Sequence, residues 1–194
     1  MTVAVTGPFA SGKSTFVRIL GELGAETASA DEIVHDLLAG DEDAIARVVE
    51  RFGEDILDER GVNRRALGRK VFGDPEALRD LEGILHPLVR RETDRRIQDS
   101  RAGLFVAEIP LLFEGGRSGA FGYTVAVTVP EERRRAWAAE RGVDEEALRA
   151  IEARQLGQEE KARRADVVVQ NDGGLDKLRE QAEELRERIS RERL

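Results

Sequence analysis

The sequence contains no cysteine, which excludes disulfide frameworks, thiolate zinc sites and cysteine nucleophiles. Only two histidines are present, His35 and His86, and a metal site built from several histidines is therefore nearly excluded. No apolar run approaches the roughly 18 residues that a membrane-spanning helix needs. The opening stretch, residues 1–6, is too short and too uncharged for a signal peptide, so we expect a cytoplasmic protein.

Positive charge is in deficit, with 31 Lys and Arg residues against 39 Asp and Glu residues and a formal net charge of −8. Phosphate contacts supply most of the affinity of general nucleic-acid-binding proteins, so this deficit argues against that class. A local basic pocket for a small anionic substrate is compatible with the deficit. We therefore expect a small-molecule substrate, no nucleic-acid or membrane partner, and a monomer or weak homo-oligomer. The length of 194 residues predicts one domain, 1–194, with small insertions.

Strand-like and helix-like segments alternate along the chain, which predicts a three-layer α/β fold. Near-continuous apolar runs at 104–109 and 123–129 are typical of strands that are covered on both faces, as in a parallel sheet. The predicted strands, five in number, are 2–6, 26–29, 104–109, 123–129 and 167–169.

The block from 41 to 101 is predicted to be almost wholly helical. Asn63 is the expected cap of a helix over 64–72, and the Asp74-Pro75 pair predicts the start of the next helix. A separate helix is expected after His86-Pro87. At the other end of the chain, one helical face is predicted to be buried: Leu175, Leu178, Ala182, Leu185 and Ile189.

The sharpest motif lies between the first predicted strand and the first predicted helix. Residues 7–15 read Gly-Pro-Phe-Ala-Ser-Gly-Lys-Ser-Thr and fit the phosphate-binding loop G-x-x-x-x-G-K-[ST]. In such a loop, backbone N–H groups and the helix N-terminus hold phosphates, Lys13 reaches the β and γ phosphates, and the Ser14 hydroxyl binds Mg²⁺. The loop therefore predicts a bound nucleotide with Mg²⁺. The predicted nucleotide-binding residues of the loop are Gly7, Ala10, Ser11, Gly12, Lys13, Ser14 and Thr15, with Ser14 as the metal ligand.

A phosphate-binding loop alone does not choose among kinases, GTPases and motors. The Asn-Lys-x-Asp element with which GTPases read their base is absent from the sequence, and a short acidic chain favours a small-molecule kinase. Two alternatives stay open: a kinase for a nucleoside or nucleoside monophosphate, and a nucleotide-dependent switch protein. Activity with a defined acceptor distinguishes them.

Asp31 follows the second predicted strand, at the edge of an α/β sheet where ligands bind. A carboxylate near the γ phosphate could accept a proton from an acceptor hydroxyl. The same residue also fits the N-cap of a helix that ends near Gly40. From spacing alone, both interpretations stay open.

Several segments together resemble one family, the dephospho-coenzyme A kinases. In the family's order, they are the phosphate-binding loop, Ala30-Asp31-Glu32-Ile33-Val34-His35, Asn63-Arg64-Arg65-Ala66-Leu67, Leu85-His86-Pro87-Leu88-Val89-Arg90, Glu108-Ile109-Pro110-Leu111-Leu112-Phe113-Glu114, the stretch from Gln155 to Asp166, and Asn171-Asp172-Gly173. The resemblance implies a P-loop kinase fold with a five-stranded parallel sheet, a helical acceptor-binding insertion at about 32–102 and a helical lid at about 131–165. It also implies transfer of the γ phosphoryl group of ATP to the ribose 3′-hydroxyl of dephospho-coenzyme A, which yields coenzyme A and ADP, the last step of coenzyme A synthesis.

The resemblance also assigns roles to residues outside the loop. Asp31 matches the family's general base, and Lys13 and Arg141 complete the expected catalytic set. Glu108 could act on Mg²⁺ through water or could have no metal role. The expected substrate-binding residues are Asp31, Arg64, Arg65, His86, Pro110 and Leu111.

The lid segment, residues 131–165, departs from the family pattern at two positions. Trp137 and Ile151 stand where the family often has arginine, so Arg134 or Arg154 is a candidate substitute. The turn at Asn171 follows the last predicted strand and is similar to turns near the adenine in related kinases, although its residues are also ordinary turn formers.

Overall fold

The buried apolar runs form one five-stranded sheet in the computed structural model, which describes residues 1–192. In chain order, the elements are β1 (Thr2–Thr6), α1 (Lys13–Glu22), β2 (Glu26–Ser29), α2 (Ala30–Gly40), α3 (Glu42–Phe52), β3 (Leu57–Asp58), β4 (Gly61–Val62), α4 (Arg64–Val71), α5 (Pro75–Asp99), β5 (Phe105–Glu108), β6 (Tyr123–Thr128), α6 (Glu131–Glu140), α7 (Glu145–Glu152), α8 (Gln158–Arg164), β7 (Val167–Gln170) and α9 (Leu175–Arg191). Within residues 1–192, every helix is too short or too polar to cross a membrane.

The sheet has the strand order β2-β5-β1-β6-β7, and β1 lies at its centre. β1 pairs in parallel with β5, where Val5 lies opposite Glu108, and with β6, where Thr6 lies opposite Ala126. The prediction of a five-stranded parallel sheet surrounded by helices is confirmed. Because parallel strands end at one edge, the loop after β1 emerges between the ends of two neighbouring strands.

One face of the sheet packs against α1 and α9. Alternate residues of the strands, such as Val3, Val5 and Val125, join Phe16 and Leu20 of α1 in a fully buried core. The predicted stripe of α9 joins the same core through its last four members. Its first member is an exception, because Leu175 is 62% exposed at the start of the helix.

By its internal contacts, the chain divides into two compact units. The first unit contains Met1–Ala28 and the chain from Ser100 onward, and the second contains Ser29–Asp99. In the second unit, helix α5 packs against α2, α3 and α4 around a separate apolar core that includes Leu38, Val48 and Phe52.

Two features of the second unit differ from the sequence prediction. A short antiparallel hairpin, β3 and β4, interrupts the block that was predicted to be almost wholly helical. Gly61 makes the hairpin possible because it has a φ of +98° and a Cβ there would lie 2.6 Å from the Leu38 carbonyl oxygen. The predicted break at Pro87 is also wrong, since α5 continues through it as one helix of 25 residues. Burial of Leu85 and Leu88, on either side of Pro87, offsets the loss of the backbone hydrogen bond that proline cannot make.

Asp31 is not the N-cap that its spacing allowed. Helix α2 begins at Ala30, its N-cap is Ser29, and Asp31 lies exposed in the first turn. An acidic side chain there complements the positive end of the helix dipole without capping it. The prediction for Asn63 is confirmed, because its side chain accepts hydrogen bonds from the backbone N–H groups of Arg65 and Ala66.

An ion-pair chain joins α2 to α5 within the second unit. Arg96 donates one hydrogen bond to Glu92 on its own helix and one, of 2.9 Å, to Asp36 on α2. The pKa of the Glu92 carboxyl is lowered to about 2, because Arg95 and Arg96 donate hydrogen bonds to its charged form. The helix that carries Asp31 is thereby tied to the helix that carries His86.

We expect Glu92→Gln to lower the free energy of unfolding by about 1 kcal/mol near neutral pH, the scale of partly exposed ion pairs. A lowered native pKa stabilises the protein above the unfolded pKa of about 4.3, and this contribution is lost as the pH falls below it. Urea unfolding of both proteins at several pH values should show the difference shrinking as the pH falls from about 4.3 toward about 2. A difference that stays constant over this range would contradict the role of the Glu92 charge.

Candidate nucleotide and phosphoryl-transfer site

The loop between β1 and α1 has the backbone of a phosphate-binding loop. Gly7 and Gly12 have φ angles of +150° and +86°, and Ala10, between them, has a φ of +59°. At Gly7, a Cβ would lie 2.5 Å from the carbonyl oxygen of Val127, so only glycine fits. Ala10 is the one non-glycine residue with positive φ among residues 1–192, and its burial against the lid segment offsets that strain.

Helix α1 begins behind this loop with an uncapped N-terminus. Its N-cap is Gly12, which provides no capping side chain, and its first turn contains no acidic residue. The hydroxyl group of Ser11, a residue of the loop, is buried and has no hydrogen-bond partner within the described residues. A helix N-terminus in this state is suited to bind an anion, and the buried hydroxyl adds a donor, so the residues present fit a phosphate group.

Lys13 lies over the loop rather than extending into solvent. Its Nζ donates a 2.8 Å hydrogen bond to the carbonyl oxygen of Pro8, and the side chain is almost fully buried. The ammonium group is therefore already held against the backbone of the loop. Exchange of the Pro8 carbonyl for phosphate oxygens would need only a local side-chain movement.

Ser14 and Glu108 bring two oxygen atoms together at the edge of the sheet. The Ser14 hydroxyl donates a 3.0 Å hydrogen bond to Glu108 Oε1, and the Glu108 side chain is buried at the end of β5. Oxygen ligands suit Mg²⁺, which commonly takes one or two protein ligands and completes its shell with phosphate and water. Residues 1–192 contain no cluster of three acidic or histidine residues that could hold a metal ion alone. A magnesium ion at this place would therefore depend on the nucleotide for ligands.

Asn171 supports the loop from the end of β7. Its side-chain N–H donates a 2.9 Å hydrogen bond to the Ser11 carbonyl, and its backbone N–H donates to Thr128. The amide nitrogen lies so close to Gly12 that a Cβ there would approach it to 2.2 Å. The sequence indicated a turn near the adenine and missed this support, because no local pattern links residues that lie 160 positions apart.

The lid segment, residues 131–165, packs against the loop. Phe9 and Ala10 contact an apolar cluster formed by Trp137, Ala138 and Leu148. The guanidinium group of Arg141 lies 5.9 Å from the centre of the Phe9 ring, a cation–π distance. The Phe9 N–H also donates to the side chain of Gln155, at 3.2 Å. The structure thus places Arg141 next to Phe9 of the loop.

The side chain of Arg134 is buried within the lid segment. Its buried guanidinium group pairs with Glu131 at 2.9 Å and also with Glu152. This pairing argues against Arg134 as the substitute for the missing family arginines. Trp137, at one of those positions, is half-buried and lies beneath the guanidinium group of Arg133 at 5.7 Å.

The remaining predicted site residues fall into two groups. Pro110 and Leu111 belong to the first unit and lie in the turn after β5, where the Pro110 carbonyl accepts a 3.1 Å hydrogen bond from the Thr6 hydroxyl. The others belong to the second unit and are exposed there: Asp31, Arg64, Arg65 and His86. Thr15 lies half-buried in the first turn of α1. The first unit thus assembles the predicted nucleotide residues, and the second carries the predicted base and most acceptor residues.

Comparisons with known proteins agree with this geometry. Residues 1–177 match the family model described as dephospho-CoA kinase. The chain belongs to the dephospho-CoA kinase family. A family member from Protochlamydia amoebophila is 38% identical over 189 residues, which cover 94% of this chain and 93% of that protein.

Two solved structures are also similar to this chain. The dephospho-CoA kinase from Campylobacter jejuni is 28% identical with a TM-score of 0.73, and the match covers 100% of this chain and 98% of that chain. The protein TT1252 from Thermus thermophilus is 34% identical with a TM-score of 0.78, and the match covers 96% and 97% of the two chains. The expected P-loop kinase fold is therefore confirmed.

We expect Asn171→Asp to weaken ATP binding at least about tenfold, a loss of roughly 1.4 kcal/mol. The variant replaces a donor with an oxygen that faces the Ser11 carbonyl and places negative charge beside the phosphate loop. Isothermal titration calorimetry measures the dissociation constant, and thermal unfolding reports whether the variant is folded.

The matched control is Asp172→Asn. Asp172 is the exposed neighbour of Asn171 in the same turn, and its carboxylate pairs with Lys177. This control should bind ATP with nearly the wild-type affinity. Equal ATP affinity in the wild type and Asn171→Asp would show that Asn171 does not support the loop.

Proposed function

We infer that this protein transfers the γ phosphoryl group of ATP to the ribose 3′-hydroxyl of dephospho-coenzyme A, which yields coenzyme A and ADP. The observation that carries this inference is the uncapped N-terminus of α1 behind a phosphate-binding loop, in a chain that matches the kinase family over residues 1–177. The loop provides the phosphate site, and family membership provides the acceptor.

On the nucleotide side, Gly7 and Gly12 let the backbone N–H groups of the loop converge on the β and γ phosphates. Lys13 exchanges its Pro8 contact for phosphate oxygens and stabilises the charge that develops on the transferred group. Arg141 is the first candidate for a second cation, because it already lies over Phe9. These contacts strengthen as the phosphoryl group leaves ADP, which is how positioned charge lowers the barrier.

We propose that Ser14 holds Mg²⁺ directly and that Glu108 holds it through water. Both oxygen atoms fit a hard cation, and their 3.0 Å contact puts them at one edge of the phosphate loop. When bound, the ion neutralises charge on the β and γ phosphates.

On the acceptor side, we propose that Asp31 orients the 3′-hydroxyl and accepts its proton. The supporting observation is that Asp31 has no capping role in α2 and is exposed in the first turn. We further propose that dephospho-coenzyme A is bound by the other acceptor residues: Arg64, Arg65, His86, Pro110 and Leu111. Arginine side chains are suited to its phosphate groups, which they can bind in a bidentate manner.

A cytoplasmic location, a monomer or weak homo-oligomer, a helical insertion at about 32–102 and the absence of nucleic-acid partners stay predictions. The net charge of −8 supports a small-molecule substrate over nucleic acid.

The direct test is a panel of acceptors incubated with the purified protein, ATP and Mg²⁺. Mass spectrometry should show one added phosphoryl group on dephospho-coenzyme A, and none on adenosine or AMP. Phosphorylation of AMP alone would indicate a nucleoside monophosphate kinase. Slow ATP hydrolysis that does not depend on any acceptor would indicate a switch protein.

We expect Asp31→Asn to lower kcat by about 100-fold or more, the usual scale for loss of a general base. ATP affinity should change less than about twofold, because Asp31 acts on the acceptor. Steady-state kinetics and calorimetry separate the two effects. Full activity in Asp31→Asn would rule out the general-base role.

The matched control for this variant is Glu32→Gln, which removes the neighbouring exposed carboxylate from the same helical turn. It should leave kcat close to the wild-type value. Lys13→Ala, in contrast, should remove turnover and weaken ATP binding together, since Lys13 acts on the nucleotide.

A further inference from the structure

A buried ammonium group lies outside the roles described above. Lys161, in helix α8 near the end of the lid segment, is 0% exposed. Its Nζ donates a 2.5 Å hydrogen bond to the Pro110 carbonyl and makes a 3.0 Å ion pair with Glu114. Both partners belong to the turn that follows β5, which we call the strand-end turn, residues 109–114.

The strand-end turn is held from two sides through these contacts. The Pro110 carbonyl accepts a second hydrogen bond from the hydroxyl of Thr6, the last residue of β1. Glu114 accepts a second bond, of 2.7 Å, from the backbone N–H of Leu156 in the lid segment. Lys161 and Leu156 therefore attach the lid segment to the turn at two points, while β1 fixes the turn to the sheet.

Stability alone does not explain a lysine at this position. Burial lowers the pKa of the Lys161 ammonium group, and the hydrogen bond and charge of Glu114 oppose that shift. A buried ion pair is often no more stabilising than apolar side chains of similar volume, because desolvation offsets the attraction. A methionine of similar volume would fill the space but would make neither contact, so what lysine adds at this position is a directional link to Pro110 and Glu114.

The lid segment contacts both the proposed nucleotide site and the proposed acceptor site. Near its middle, the lid segment contacts the phosphate loop through Arg141 and Gln155, which meet Phe9. At its end, Lys161 holds the turn that contains Pro110 and Leu111, the proposed acceptor contacts. A shift of the lid segment on nucleotide binding would therefore reach the acceptor side through Lys161.

We propose that Lys161 is a positioning residue that couples the lid segment to the strand-end turn, so that bound ATP strengthens the binding of dephospho-coenzyme A. This inference rests on the proposed function. Such coupling is reciprocal, so either ligand can be used to measure it.

The test measures the dissociation constant of dephospho-coenzyme A with and without a non-hydrolysable ATP analogue and Mg²⁺. In the wild type, the analogue should tighten binding about fivefold or more, the usual lower bound for coupled sites. In Lys161→Met, this factor should fall toward one, with nearly unchanged affinity for the analogue alone. In steady-state kinetics, the KM for dephospho-coenzyme A at saturating ATP should rise by a similar factor, and, because the coupling is reciprocal, so should the KM for ATP at saturating dephospho-coenzyme A.

The matched control is Arg163→Met, which removes an exposed cation from the same helix. It should keep the wild-type coupling factor. If thermal unfolding shows that Lys161→Met does not fold, Glu114→Gln decides the question, because it keeps a neutral acceptor and should still reduce the factor.

A coupling factor of one in the wild type would overturn the inference. So would a wild-type coupling factor in folded Lys161→Met. If Lys161→Met keeps the wild-type coupling factor, Glu114→Gln should keep it as well. Failure of the proposed function looks different, because the wild type would then not phosphorylate dephospho-coenzyme A at all. Phosphorylation with unchanged coupling rejects only the role of Lys161.

Discussion

The structure depends on one electrostatic arrangement, the uncapped positive end of α1 behind the loop of residues 7–12. A helix end without a capping side chain is a cost to the apo protein, and a bound anion removes it. The buried sheet fixes where this end lies, because β1 is central and its neighbours end at the same edge. The site thus follows from sheet topology and from the positive φ of Gly12.

Distant segments keep the loop in this conformation. Asn171 from the end of β7 bonds to the Ser11 carbonyl, and Gln155 from the lid segment bonds to the Phe9 amide. These contacts satisfy one carbonyl group and one N–H group of the loop and so fix its backbone in place. Packing of Ala10 against Ala138 and Leu148 explains why this residue tolerates a positive φ.

Local sequence signals predicted much of the fold and the loop, and long-range contacts account for the rest. The strand at Thr2–Thr6 and the cap at Asn63 are marked by patterns in neighbouring residues, and both were predicted. The continuous α5 depends on burial of Leu85 and Leu88, which no pattern around Pro87 reveals. The roles of Asn171, Gln155 and Lys161 also depend on tertiary contacts, and only the family resemblance of their segments marked them.

The most direct measurement is a crystal structure with a non-hydrolysable ATP analogue, Mg²⁺ and dephospho-coenzyme A. We expect the β and γ phosphates inside the loop, with Lys13 moved from the Pro8 carbonyl to a phosphate oxygen. The ribose 3′-oxygen should lie between the γ phosphorus and the Asp31 carboxylate, within hydrogen-bond distance of the latter. A triphosphate bound elsewhere, or an Asp31 that points away with no space for a ribose, would contradict the proposed mechanism.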